Sequence, residues 1–523
     1  LPNAEVYWNV TATPTRYTPP NRADFSFGKW TAWWMPYNDY TGGATKSFAA
    51  RTDAAGKHHL RIDFDSVSPA QPASVSASVN VQDVNRQMLS AATTLLVHPS
   101  DLYVGLRSPR NFVQQGEPLI VETIASDIDG KLIANREIRI RALLLDWVFD
   151  KGQWRERETN LQECVVKSGD KAATCRFETK EGGRYRILAS IYDDRERLNE
   201  SELMLWVAGG KQLPQRDLSQ EKVELIPNLK EYQPGQTAEI LVQAPFFPAE
   251  GVLTLRREGL VSSERFTMTS ASHTLKILLL DEYVPNLHVQ VDLVGAAART
   301  DNEGKADSKL PKRPAFAAGE LNLGVSLSQR KLTVAATPRD KALEPGGETA
   351  VTLQVKDTQG RPVSGSEVAV VVVDEAVLAL SNYQLADPLN SFYYQRGPDV
   401  ADFHLRKKVE LSDPAMLISQ MKQGGGGGVA GAALKSVALE MAAPAAPRAR
   451  MAMAADASAG EPDTPIRARL DFNALAFFAG SLPTDEQGRA TVQVKLPDNL
   501  TRYRVMAVAA AGSKQFGTGE SAI

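Results

Sequence analysis

Two cysteines, Cys164 and Cys175, are the residues of this chain whose spacing could support a covalent bond. They flank the segment VVKSGDKAAT, whose pattern predicts a strand, a turn and a second strand. Such a hairpin would bring the two sulfur atoms together and favours a disulfide, with two free thiols as the alternative. A disulfide would indicate an oxidising compartment such as the periplasm or the extracellular space. Two thiols alone do not complete the ligand set of a zinc ion.

The remaining candidates for catalysis or cofactor binding lack the necessary spacing. The adjacent His58 and His59 lie in a predicted strand, where neighbouring side chains point to opposite faces, so they cannot bind one metal together. The glycine run at residues 424–428 lacks the Lys-Ser/Thr ending of a phosphate-binding loop. We found no GxSxG nucleophile turn either. The sequence therefore predicts no metal, no cofactor and no enzymatic activity.

The charge balance bears on the class of partner. The net charge is -3 with a pI near 6.2, so the chain has no basic excess with which to neutralise phosphates. We therefore predict no nucleic-acid partner.

Side chains that proteinases of different specificity recognise are concentrated in one tract. Lysines and arginines suit a trypsin-like pocket, leucine and methionines a chymotrypsin-like pocket, and alanine runs an elastase-like pocket. The candidate cleavage positions are Lys422, Lys435, Leu439, Met441, Arg448, Arg450, Met451, Arg467 and Arg469. Five consecutive glycines and few large apolar residues predict that this tract is disordered, which is the form that a proteinase can bind. The composition also fits a plain surface loop or linker.

Around this tract the chain repeats one β unit. A glycine turn followed by an alternating apolar strand, a second turn and another strand recurs at Gly116, Gly235 and Gly346. The spacing is that of one β-sandwich of about 100 residues. In the last repeat, strands are expected near residues 331–336, 349–357 and 367–374. The predicted fold is all-β, with antiparallel sandwiches in series and a long disordered insertion.

The repeats predict four domains. Their bounds are residues 1–98, 99–208, 209–326 and 327–523, and the last carries the insertion at about 412–469. The opening LPNAEVYWNV aligns with LIANREIRIR, which follows the first strand of the second repeat. We therefore expect the first domain to be truncated at its N-terminus and the chain to be a piece of a longer protein.

Three stretches resemble the alpha-2-macroglobulin family, and its bacterial members in particular. They are VVVDEAVLAL, read as a strand that leads into the insertion, YYQRGPDVADF, and LDFNALAFFAGSLPTDEQGRATVQVKLPDNLTRYRVMAVA. The resemblance implies seven-stranded macroglobulin sandwiches of immunoglobulin or fibronectin type, with a bait region at about residues 412–469. Cleavage of the bait would trigger conformational trapping of the proteinase in the full-length protein. We expect Tyr393, Tyr394 and Phe403 to pack where the chain leaves the last sandwich.

What the resemblance implies is a broad-spectrum endopeptidase inhibitor rather than an enzyme. Its partners would be proteinases and the remaining macroglobulin domains of the parent chain. Its place would be the periplasm, free or anchored to the inner membrane. Neither cysteine begins the Cys-x-Glu-Gln thioester motif that many family members use for covalent capture, so this chain cannot itself form that bond. The alternatives are a structural or adhesive sandwich array with a spacer, and a complement-like opsonin.

Overall fold

The structure is a computed structural model that describes residues 1–34, 43–63, 70–82, 85–150, 153–210, 221–299, 308–403, 416 and 472–523. The chain divides into two compact units. The first comprises Leu1–Ser326 and Gln395–Leu411, and the second comprises Leu327–Tyr394 and Ser412–Ile523. Antiparallel strands dominate both, so the all-β prediction is confirmed. The four domain boundaries stay a prediction.

The first sheet of unit 1 has four antiparallel strands in the order β2-β1-β3-β4. Their bounds are β1 (Glu5–Pro14), β2 (Ala44–Arg51), β3 (Ala73–Gln82) and β4 (Met88–Val97). A small apolar cluster on one face is centred on Val10, Val75 and Ala77. Among the described residues this region forms one layer, so a two-layer sandwich over residues 1–98 stays a prediction.

The next eight strands of unit 1 form a sandwich, called the second sandwich. Their bounds are β5 (Leu102–Arg107), β6 (Phe112–Val113), β7 (Leu119–Asp127), β8 (Glu137–Asp150), β9 (Gln153–Lys167), β10 (Ala173–Phe177), β11 (Gly183–Tyr192) and β12 (Leu198–Val207). One layer has the order β10-β7-β5 and the other β6-β12-β11-β8-β9. Alternating apolar residues of both layers meet in one core, and Val121, Ile140 and Ile187 are fully buried there.

The third sandwich completes the β structure of unit 1. Its strands are β13 (Glu221–Lys222), β14 (Glu224–Pro227), β15 (Glu231–Tyr232), β16 (Thr237–Gln243), β17 (Ala249–Arg256), β18 (Leu260–Met268), β19 (Ser272–Leu278), β20 (Asn286–Ala297) and β21 (Arg313–Val325). A three-stranded layer, β14-β16-β19, is combined with a larger layer that contains β21-β20-β17-β18. A 3-10 turn at Asp281–Tyr283 precedes β20.

The fourth sandwich forms unit 2, and its elements within the described residues 327–394 and 472–523 are seven strands and two short helices. The elements are β22 (Thr333–Pro338), β23 (Glu348–Lys356), β24 (Glu367–Asp374), α1 (Glu375–Ser381), α2 (Pro388–Phe392), β25 (Leu475–Pro483), β26 (Arg489–Lys495), β27 (Tyr503–Ala511) and β28 (Gln515–Ala522), with a 3-10 turn at Ser328–Arg330. The layers are β22-β23-β26 and β25-β24-β27-β28. Val351, Val370 and Val505 are buried between them. The three strands predicted at the start of this repeat are confirmed to within two residues.

One strand order is common to the second, third and fourth sandwiches. In each, the first, second and fifth of seven main strands make the smaller layer, and the remaining four make the larger one. The glycines that mark the repeat, Gly116, Gly235 and Gly346, all have a positive φ, which side chains with a Cβ rarely adopt. The repeated sequence pattern therefore corresponds to one repeated topology.

Two strand predictions were wrong. Cys164 lies in β9 and Cys175 in β10, but these strands belong to different layers, because β10 pairs with β7 and β9 pairs with β8. The chain turns a corner between layers there instead of forming a hairpin. His58 and His59 do not lie in a strand. In the order of elements along the repeat, their segment takes the place of β10, which pairs with β7 in the second sandwich. The described residues of the first sheet include no strand at the place of β7, so this segment has no strand to pair with.

Candidate functional site

The insertion begins and ends at two neighbouring strands of the fourth sandwich. Strand β24 pairs with β25 in antiparallel register, from Glu367 opposite Pro483 to Val373 opposite Leu475. Directly beyond this pairing, the Asp374 N–H donates to the Ala474 carbonyl at 2.8 Å. All residues from 375 to 473 therefore lie in a connection between adjacent strands, and the sheet closes across its base.

A capped helix starts where β24 stops. The Asp374 carboxylate accepts hydrogen bonds from the Ala376 N–H and the Thr501 hydroxyl, each at 2.8 Å. An aspartate at this position satisfies an N–H group that the first helical turn leaves without a partner. Helix α1 then ends at Asn382 in the left-handed conformation, with φ of 50°. The strand predicted to end at Asp374 is confirmed, but the description of VVVDEAVLAL as a strand was wrong for its second half, which the aspartate cap begins as a helix.

An ion pair holds the first residue of α1 to the opposite strand. The Arg504 guanidinium donates to Glu375 at 2.6 Å, and Arg502 approaches the same carboxylate at 3.1 Å. The hydrogen bond from Arg504 lowers the pKa of Glu375, against the smaller opposing effect of burial, and the nearby Arg502 charge adds to it. In addition, the Glu375 N–H donates to the Arg502 carbonyl at 2.9 Å. The base of the insertion is thus fixed by backbone, cap and charge together.

The second helix packs the next part of the connection onto the same sandwich. The Asp387 side chain accepts from the Leu389 N–H at 2.9 Å, and Leu389 is buried. Phe392 stacks on Phe516 with 4.6 Å between the ring centres. The Tyr393 hydroxyl donates to the Lys514 carbonyl at 2.7 Å. Packing at the exit from the sandwich, as predicted for Tyr393, is therefore present.

The predicted packing of Phe403 was wrong. Phe403 is 96% exposed and Tyr394 is 53% exposed. Beyond Tyr394 the chain belongs to unit 1 up to Leu411. There Asp402 forms an ion pair with Arg256 of the third sandwich.

All of the predicted cleavage positions lie outside the described residues. They are Lys422, Lys435, Leu439, Met441, Arg448, Arg450, Met451, Arg467 and Arg469, and they stay a sequence-based prediction. The two cysteines lie in the second sandwich and are bonded to each other, with 6.2 Å between their Cα atoms.

The described part of the chain contains neither a cluster of metal ligands nor a membrane-spanning helix. No group of three or more His, Cys, Asp or Glu side chains there has the arrangement of a metal site. None of the helices described is long and apolar enough to cross a bilayer. Two neighbouring tryptophans near the start of the chain pack against a third. Trp30 and Trp34 lie against Trp206, with ring centres 5.9 and 5.7 Å away.

Sequence reasoning missed the partners of the insertion base. Asp374 followed by Glu-Ala is a recognisable helix start, so the cap could have been found from the sequence. Thr501 and Arg504 carry no local signal, because their role depends on a strand more than a hundred residues away.

Comparisons with known proteins bear on both sides of the insertion. A family model described as the Alpha-2-macroglobulin bait region domain matches residues 223–380. A model described as the Alpha-2-macroglobulin family matches residues 475–523. The two matches stop and start close to the points where the chain leaves and rejoins the fourth sandwich.

Curated relatives and solved structures match more of the chain. An Alpha-2-macroglobulin homolog of Nostoc sp. is 26% identical over 529 residues, covering 99% of this chain and 26% of that protein. Circularly permutated Ras protein 2 of Dictyostelium discoideum is 21% identical over 490 residues, covering 81% of this chain and 12% of that protein. A crystal structure of trypsin-activated alpha-2-macroglobulin from Escherichia coli has 17% identity and a TM-score of 0.37, covering 100% of this chain and 32% of that chain. The chain thus spans about a quarter of the length of the Nostoc relative and less of the Dictyostelium relative.

Proposed function

The chain belongs to the alpha-2-macroglobulin family, and on this premise we propose that it is the bait-bearing part of an endopeptidase inhibitor. The bait is the insertion at about residues 412–469. Its cleavage by proteinases of several specificities is the event to which the protein responds.

The observation that carries this proposal is the closed base of the insertion. The β24–β25 pairing and the hydrogen bond from Asp374 to Ala474 join the two ends of the connection. The bonds of Asp374 to Thr501 and of Glu375 to Arg504 fix its first residues to the same sandwich. A cut within the insertion therefore breaks the covalent loop and leaves the hydrogen bonds of the sandwich in place. A bait needs this separation between a cleavable segment and the fold that carries it.

The composition of the insertion supports broad specificity. It combines basic, large apolar and small residues, so unrelated proteinases each find a suitable bond. Its glycine and alanine content provides little apolar surface to offset the entropy of folding.

In this proposal the chain is not an enzyme, and its residues serve as substrate. Its partners are proteinases and the other domains of the parent protein, in which bait cleavage would trigger conformational trapping. The Cys164–Cys175 disulfide supports an oxidising compartment, and we place the parent protein in the periplasm.

Limited digestion with three unrelated proteinases tests the proposal. The chain is treated with low concentrations of trypsin, chymotrypsin and elastase, and the first new N-termini are sequenced. All three should cut first between residues 412 and 469, on the order of a thousandfold faster than in the strands, because cleavage there needs no prior unfolding.

A matched variant tests whether the basic side chains of the tract determine cleavage by trypsin alone. Its six basic residues are changed to glutamine, at Lys422, Lys435, Arg448, Arg450, Arg467 and Arg469. Trypsin should then lose its fast cuts, whereas elastase should keep its own. First cuts within the sandwiches by two or more of the enzymes would contradict the proposal and favour a spacer in a structural array.

A further inference from the structure

The segment that joins α2 to the insertion is held on the third sandwich. We call residues 395–403 the leader segment; it contains no helix or strand. Together with the third sandwich it belongs to unit 1, whereas α2 before it belongs to unit 2. Three sets of contacts hold it on the third sandwich.

The first contact is made by the turn between β17 and β18. The Glu258 N–H donates to the Gly397 carbonyl at 2.8 Å, and the Gly259 N–H donates to the Pro398 carbonyl at 3.1 Å. Both turn residues have a positive φ, 52° and 131°, which directs two successive amides to the same side. The leader segment thus occupies hydrogen-bond donors that a hairpin turn usually offers to water.

The second contact is made by a buried asparagine. Asn286 has 0% exposure, and its side-chain oxygen accepts from the Arg396 N–H at 2.8 Å. Its amide nitrogen donates to the Arg396 carbonyl at 2.9 Å, and the same carbonyl accepts from His288 Nε2 at 2.8 Å. A buried amide is costly without partners, and here both of its ends bind the backbone of one leader residue.

The third contact is a paired charge near the end of the leader segment. Arg256 Nη1 and Nη2 donate to the two carboxylate oxygens of Asp402, each at 2.7 Å. The arginine side chain is only 7% exposed, whereas that of Asp402 is 39% exposed. Two parallel bonds between a guanidinium and a carboxylate fix both position and orientation. Closer to α2, Arg396 Nη1 pairs with Glu258 at 2.7 Å.

These contacts have a chemical consequence for one bond. A trypsin-like proteinase recognises an arginine side chain and polarises its carbonyl with two backbone N–H groups. Glu258 of the third sandwich already forms an ion pair with the Arg396 side chain, and Asn286 and His288 already donate hydrogen bonds to the Arg396 carbonyl. The Arg396–Gly397 bond has the sequence of a trypsin site and the geometry of a protected one.

We propose that the leader segment is an internal ligand of the third sandwich, with Asn286 and Arg256 as positioning residues. Its docking protects the Arg396–Gly397 bond and sets the N-terminal limit of the bait. This inference rests on the proposed function, because it defines where the cleavable window begins. After a cut in the insertion, the new C-terminus stays attached to unit 1 through this segment.

Trypsin digestion of the full 523-residue chain and its variants tests the proposal. Mass spectrometry follows cleavage at Arg396–Gly397 and, separately, at the arginines of the insertion. In the unaltered chain the Arg396 bond should be cut at least about a hundredfold more slowly than the insertion bonds, because the segment must first undock. Asp402→Ala should raise its rate about tenfold or more through loss of the paired charge. The rates at the insertion should stay unchanged.

Asp399→Asn is the matched control, because Asp399 lies in the same segment, is exposed and already has a positive φ of 48°, which asparagine tolerates. It should leave the Arg396 rate unchanged. Glu258→Gln is a milder second variant on the sandwich side, and it should raise the rate about threefold.

Amide exchange provides a readout that does not depend on a proteinase. The N–H groups of Glu258 and Gly259 should exchange faster in Asp402→Ala, whereas those of Val289 and Val291 in the core strand β20 should not. Equal cutting of Arg396 and the insertion bonds in the unaltered chain would overturn the proposal, as would equal rates in Asp402→Ala and Asp399→Asn. If the leader segment is protected but the insertion is not cut first, the proposed function fails and the docking stands.

Discussion

The same pair of adjacent antiparallel strands occurs in the second and the fourth sandwich, but the two pairs are connected differently. In the second sandwich β8 and β9 stay paired to the last residue, Asp150 opposite Gln153. In the fourth sandwich β24 and β25 occupy the same places in the sheet, but residues 375–473 separate them. One topology therefore accepts either a two-residue connection or one of about a hundred residues between the same two strands.

Loop entropy explains why the excursion is tolerated. Closing a connection of about a hundred residues instead of two costs only about 3 kcal/mol more, because the cost grows with the logarithm of length. The Asp374 cap and the packing of α1 and α2 offset part of this cost by ordering the first residues of the connection. We therefore expect the fold of the fourth sandwich to be stable whether or not the insertion is intact.

Covalent closure is the second difference between the two sandwiches, and removing it should have the largest effect. Cys164 lies opposite Ile140 and Cys175 opposite Val121; Ala479 and Val492 hold these places in the fourth sandwich. The double variant C164A/C175V gives the second sandwich the residues of the fourth. It should lower the free energy of unfolding by about 3 kcal/mol, since the closed loop is short.

Urea unfolding of the double variant, followed by fluorescence, measures this loss. Reduction of the unaltered chain should produce a similar change, because both treatments remove the covalent link. A variant that is as stable as the unaltered chain would show that the disulfide between β9 and β10 does not stabilise the second sandwich.

Substitution of a buried aspartate in the second sandwich should give the next largest loss of stability. Burial tends to raise the pKa of Asp193, but hydrogen bonds from the N–H groups of Asp101 and Arg197, the Arg197 guanidinium and the Arg195 N–H outweigh it and lower the pKa. Asp193→Asn should therefore cost about 2 kcal/mol at pH 7.

The pH dependence of this loss has a defined sign. A carboxylate whose pKa is lowered by folding stabilises the protein above its unfolded value, near 4, and that stability disappears as the pH falls below it. The difference between Asp193→Asn and the unaltered chain should thus shrink between about pH 4 and pH 2. Paired urea titrations across this range measure it, and a constant difference would contradict the assignment.

The cap at the base of the insertion should give the smallest of the three effects. Asp374→Ala removes two hydrogen bonds, from Ala376 and Thr501, and should destabilise the fourth sandwich by about 1.5 kcal/mol. Asp387→Ala is the matched control in α2, where only the bond from Leu389 is lost, and it should cost about half as much. Thermal unfolding followed by calorimetry measures both, and equal losses would mean that Thr501 contributes nothing.

Periodicity and turn residues predicted most of the fold. The glycines at the repeat positions and the alternating apolar strands identified the sandwiches, since both signals are local. The helix after Asp374 was missed because the loss of the strand pattern there was interpreted as the start of the insertion, and only the aspartate cap indicates a helix. The layer change between Cys164 and Cys175 was missed because a turn looks the same in sequence whether the strands pair or part.

The candidate site was predictable only in part. Composition identified the insertion, because glycine and alanine runs are a local signal. The docking of Asp402 on Arg256 was not predictable, since the two residues are 146 positions apart and neither belongs to a motif. Contacts between distant segments depend on the assembled fold.

The central claim is that the fourth sandwich holds together when the insertion is cut. Amide exchange of β24 and β25, measured by mass spectrometry before and after elastase cleavage within residues 412–469, tests it most directly. We expect the amides from Val370 to Val372 to exchange equally slowly in both samples, because their partners lie in β25 and β27. Rapid exchange of these amides after cleavage would contradict it, since the insertion would then be part of the fold that it interrupts.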